Sequence, residues 1–174
     1  MTTSKTAAQP EGRSLGGELR QQLKALLDGG QAHATFEQAV EDMPAKLQGV
    51  VPEHLPYSAW QMLEHIRLAQ RDILDFSRND DGSYRELTWP DGYWPKDPEP
   101  PNAGAWQKSV EQVREDRKAF EKLMDSVDDT NFIKPFPWGN GQNLLREALL
   151  IADHEAYHVG ELVMLRRLLG AWKS

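Results

Sequence analysis

Asp153-His154-Glu155-Ala156-Tyr157-His158-Val159-Gly160-Glu161-Leu162 is the stretch on which the reading of this chain turns. It lies inside a helical pattern over residues 143–169 that Gly170 ends, as a C-terminal glycine cap does. On a helix, His154 and His158 stand about 40° apart and one turn along the axis, so two imidazoles can reach one ion. Glu147, Ile151, Glu161 and Leu165 fall within about 60° of that pair, which gives it an apolar surround with a carboxylate above and below. Such a face points into a bundle, where a neutral imidazole pair needs partners. A metal ion supplies them; packing without metal is the alternative that the spacing leaves open.

Working outward, four more segments carry helical periodicity and none reads as a strand. Residues 15–27 place Leu19, Leu23, Leu26 and Leu27 on one side and end at Gly29-Gly30. Residues 32–43 place Phe36, Val40 and Met43 together and stop at Pro44. Ser58 is the expected N-cap of a helix to residue 77, with Met62, Ile66, Ala69, Ile73 and Phe76 apolar. Residues 103–127 carry Val110, Val113, Phe120, Leu123 and Met124. Helices of this number and length make a four-helix bundle the natural architecture, with residues 15–27 as an extra helix in front. Residues 14–174 form one domain on this reading, and 1–13 a disordered tail.

The connection over 83–102 has no periodicity. It holds five prolines together with Trp89, Tyr93 and Trp94. A structureless segment this long needs a reason. It can carry the chain back along the bundle, so that the helices on either side run parallel. Its aromatics either cover a pocket or pin the loop to the surface, and both readings stay open.

Composition excludes several functions. Net charge is −7 with 20 Lys and Arg against 27 Asp and Glu, so the basic stripe that nucleic acid binding requires is missing. Arg166-Arg167 is the nearest approach to one and reads as a solvated face. There is no cysteine, so disulfides and zinc–thiolate sites are out. Mean hydropathy is −0.66, and no run of about 18 apolar residues exists to span a membrane. No secretory signal is visible at the N-terminus, which makes the cytoplasm the expected compartment.

A third ligand from another helix would strengthen the metal reading, and His65 is the candidate; its alternative is a capping or surface role. His154-Glu155-x-x-His158 also matches the zinc-protease motif, in which the glutamate is the general base. A peptidase of that type uses a sheet edge to hold substrate, and no strand is present to provide one. His33, near the start of its helix, is a candidate contact in the pocket, and His54, in a proline-bounded loop, is expected to be solvated. Glu161 is a candidate fourth ligand, or an acceptor that orients a ligand imidazole.

Trp60-Gln61-Met62-Leu63-Glu64-His65, the 153–162 stretch and Leu165-Arg166-Arg167-Leu168-Leu169-Gly170 together resemble the DinB-like superfamily of four-helix-bundle metalloproteins, over about residues 31–170. The resemblance implies an all-α, up-down-down-up bundle with its long connection at 79–102. It implies one divalent ion on His65, His154 and His158, with open or water-filled positions. Zn or Ni is the expected ion. It further implies a metal-dependent enzyme, a small-thiol S-transferase or a hydrolase, acting on a small-molecule substrate such as a low-molecular-weight thiol. The alternative is a metal- or small-molecule-binding bundle without turnover. Glu155 and Glu161 are then the candidate proton shuttles, and Trp89, Tyr93 and Trp94 pocket residues. A homodimer is the expected assembly.

Overall fold

The computed structural model describes residues 14–172, so the tail expected over 1–13 lies outside the described residues. The described residues are all-helical, in the order α1 (Leu15–Asp28), α2 (Phe36–Val40), α3 (Ala59–Ser77), α4 (Ala105–Asp125), α5 (Asp129–Ile133) and α6 (Leu144–Leu168), with short 3₁₀ turns at Ala45–Leu47 and Asp91–Tyr93. None of these helices is long and apolar enough to cross a membrane.

Two apolar clusters show how the helices run. At one end, Trp60, Leu63 and Ile66 of α3 pack with Trp106, Val110 and Val113 of α4 and with Val159, Leu162 and Leu165 of α6. At the other, Ile73 and Leu74 meet Phe120 and Met124, together with Leu144, Ala148 and Ile151. Thus α3 and α4 are parallel and α6 is antiparallel to both. Arg20 of α1 donates to the carbonyls of Met124 and Val127, and Lys24 pairs with Asp125. Glu37 of α2 pairs with Arg114, farther back along α4. The first arm therefore runs against α4, which completes the up-down-down-up order.

That arm is split. Gly29 and Gly30 both adopt positive φ, +74° and +76°, which glycine tolerates and other L residues rarely do. The chain re-enters a helix only at Thr35, whose hydroxyl and Gln38 form a capping box. The helix expected over 32–43 is accordingly confined to Phe36–Val40. Arg166 ends it by donating to the carbonyls of Gln38 and Ala39, and by binding Ala171 O. Arg166 is thus buried at 4% exposure, not on the solvated face expected of it; only Arg167 is exposed.

Between the two clusters lies a polar layer. Gln70, Arg117 and Glu155 each sit one turn from apolar neighbours of both ends, and all three are buried. Arg117 Nη2 donates to Glu155 Oε1 at 2.7 Å, and Gln70 Nε2 to Val113 O at 2.7 Å.

Candidate metal centre

The connection between α3 and α4 builds one wall of the site. Positions 58, 61, 65 and 72 recur at nearly whole helical turns, so they line one edge of α3. Each takes hold of the returning chain. Ser58 Oγ donates to Pro98 O, Gln61 Nε2 to Pro95 O, and His65 Nδ1–H to Tyr93 O at 3.0 Å. The Tyr84 and Tyr93 hydroxyls donate to the two oxygens of Asp72. The loop thereby runs antiparallel to α3 and lays Trp94 flat on His65, with ring centroids 3.8 Å apart and 6° between planes. Tyr57 stacks on the other face of Trp94, also at 3.8 Å.

Opposite this wall, α6 presents His154 and His158. Nε2 of His65 lies 3.1 Å from Nε2 of His158 and 3.1 Å from Nε2 of His154, and the three rings offer nitrogens all within 4.8 Å of one another. A carbonyl oxygen only accepts, so Nδ1 of His65 carries the hydrogen and its Nε2 lone pair points inward. The same holds for His158, whose Nδ1–H donates to Glu161 Oε2 at 2.7 Å. Two lone pairs then face each other, an arrangement that repels unless a cation stands between them. Tetrahedral ligation at about 2.0–2.1 Å separates imidazole nitrogens by roughly 3.4 Å, close to what is found here. The donor set fits a divalent ion.

Electrostatics keeps the cluster neutral. Burial pushes the His154 pKa down to about 3, with the neighbouring His158 and His65 adding to the effect. Burial, then His65, pushes His158 down to about 4. His65 is lowered as well, chiefly by burial, against the Tyr93 carbonyl that favours its proton. Neutral imidazole is the form that binds metal.

The three histidines open onto a cleft of about 650 Å³ whose lining includes Tyr57, Gln61, Trp89, Trp94 and Lys96. Trp89 stands at the mouth, 71% exposed. Tyr93 acts through its backbone: its carbonyl holds His65 and its hydroxyl is anchored on Asp72. His33 is not brought to the cleft; it sits on an exposed turn with Nδ1 on Ala34 O. His54 is solvent-exposed, as expected. The two acids of α6 part company. Glu161 holds His158, whereas Glu155 is turned to Arg117 and does not line the cleft, so it does not face the three histidine nitrogens as a zinc-protease base would face its metal site. Burial raises the Glu155 pKa despite that arginine.

Tyr57, Gln61 and Asp72 were not singled out from sequence. Asp72 had a signal, two turns from His65 on the same edge, but its role depends on where the loop lands.

The model of the DinB superfamily matches residues 30–162, which span α2 to most of α6 and contain all three histidines. Neither the curated proteins nor the solved structures provide a match. The chain belongs to the DinB superfamily; α1 precedes the matched region.

Proposed function

We propose that this DinB-superfamily chain is a metal-dependent enzyme. Its His65, His154 and His158 hold one divalent ion, zinc or nickel, for a reaction of the thiol-transfer or hydrolytic class on a small molecule. One observation carries the reading: three neutral imidazoles converge at the floor of an open, aromatic-walled cleft, a donor set that leaves coordination positions free, as catalytic sites do. When bound, such an ion acidifies a water or thiol and polarises a carbonyl.

The chain's own groups have definite parts in this scheme. Glu161 accepts the Nδ1–H of His158 and so fixes the tautomer and raises the basicity of that ligand. Glu161 is half-exposed, which lets it pass a proton to solvent. The Tyr57–Trp94–His65 stack closes one side of the cleft and keeps water off the His65 ring. Trp89 offers a flat apolar face to substrate, and Lys96, on the same cleft, a cation for an anionic group.

Cobalt(II) substitution tests this. Addition of a small thiol should produce a thiolate-to-cobalt charge-transfer band, or an ester or amide should be turned over at a rate that disappears in His154→Ala. A cobalt-loaded protein whose spectrum responds to no small thiol and which turns over no ester or amide would leave a binding protein without catalysis.

A further inference from the structure

Asp72 is a half-buried carboxylate without a cation. Among the described residues it enters no ion pair, although Arg71 is beside it in sequence; that arginine binds Asp116 instead. Burial, with the nearby Glu86 and Asp75 adding to it, raises the Asp72 pKa, and the Tyr93 and Tyr84 hydroxyls work the other way. Holding a carboxylate here therefore costs stability, and what it holds in return is two phenols, at 2.8 Å and 3.0 Å. Asp72 does not line the histidine cleft.

Tyr93 grips α3 at two places. Its hydroxyl is on Asp72, and its carbonyl accepts the Nδ1–H of His65. Residues 65 and 72 are two turns apart, about 10 Å along the helix and about 20° around it. Tyr93 bridges that interval, so anchoring its hydroxyl also sets where its carbonyl meets the imidazole. On the other side Gln61 Nε2 holds Pro95 O, which clamps the Tyr93 carbonyl and the Trp94 ring between residues 61 and 72. Tyr84 is secured separately, by its N–H on Asn79 Oδ1 and by an edge-on ring contact with Phe76. Burial and the Asp72 carboxylate raise the pKa of both phenols, so both remain donors. A His65 ring released from the Tyr93 carbonyl can move its hydrogen to Nε2, where no lone pair is then left for an ion.

We infer that Asp72 is a positioning residue of the metal centre: acting through Tyr93, it sets the tautomer and orientation in which His65 offers Nε2. For the ion this rests on the three-histidine reading; the tautomer belongs equally to the metal-free chain.

Imidazole nitrogen NMR on isotope-labelled, metal-free protein reads the tautomer, and chelator competition reads zinc affinity. Wild type should carry the His65 hydrogen on Nδ1 alone. Tyr93→Phe keeps the ring and the carbonyl and removes the hydroxyl. That variant and Asp72→Ala should each show a mixture of tautomers and bind zinc about 10-fold more weakly. Tyr84→Phe takes a hydrogen bond from the same carboxylate but leaves the one to Tyr93. It should match wild type in both readouts while losing about as much stability as Tyr93→Phe. A single Nδ1 tautomer retained in both Asp72→Ala and Tyr93→Phe would overturn the assignment, and so would a Tyr84→Phe variant as impaired as Tyr93→Phe. A wild type that binds no zinc would overturn the three-histidine reading alone, because the tautomer pattern still decides the part played by Asp72.

Discussion

At the level of the histidines, α6 shows two inward faces that use similar residues to opposite ends. One carries Glu155, 8% exposed and paired with Arg117 inside the polar layer of the core. The other carries His154 and His158, which line the cleft, with Glu161 hydrogen-bonded to Nδ1 of His158. The first acid is committed to holding α4 and α6 together and the second to orienting an imidazole. Adjacency in sequence to a histidine is a poor guide to which is which: Glu155 is next to His154, yet about 100° around the helix puts it on another neighbour.

The difference can be broken first by stability. Glu155→Ala leaves Arg117 buried without its partner, and should lower unfolding free energy by about 3–5 kcal/mol in urea titration. Metal stoichiometry of the folded fraction should stay at the wild-type value. Loss of metal uptake in the fraction that folds would merge the two faces into one functional unit.

Glu161→Gln probes the other face. It should weaken metal affinity about 10- to 100-fold in chelator competition while leaving metal-free stability nearly unchanged. Affinity equal to wild type would reduce Glu161 to a surface residue.

Acid separates the faces more gently. The folded pKa values of His154 and His158, about 3 and about 4, lie below the ordinary 6.5. The unfolded metal-free chain therefore takes up these protons first. The stability they contribute is present above about pH 6.5 and is lost progressively as pH falls toward 4 and 3. Glu155 has the opposite sign. Its raised folded pKa means that the folded state takes its proton first, so acid relieves its burial. Metal-free Glu155→Gln should thus lose stability more steeply below pH 6 than wild type; a parallel or shallower loss would contradict the sign given to the buried acid.

The long helices, their apolar faces, the capping Ser58 and the double-glycine break were legible because each rests on local periodicity or on backbone freedom at one position. Parallel α3 and α4 followed from the length of the connection alone. What was not legible depends on distant partners. Residues 32–35 lie before the second helix because Thr35 caps its start, and 41–43 leave it where Arg166, more than 120 positions away, takes its last carbonyls. The same contact converts a residue of apparently solvated type into a buried one. The histidine pair was visible as a spacing. That His65 meets it, and that Tyr93 contributes a carbonyl instead of a ring, comes from how 84–98 lies along α3.

The measurement that bears most directly on the account is metal content by inductively coupled plasma mass spectrometry, for wild type beside His158→Ala. The account predicts close to one equivalent of divalent metal in wild type, retained through dialysis, and almost none in the variant. Wild-type protein that arrives without metal and takes up neither added zinc nor added nickel would contradict it.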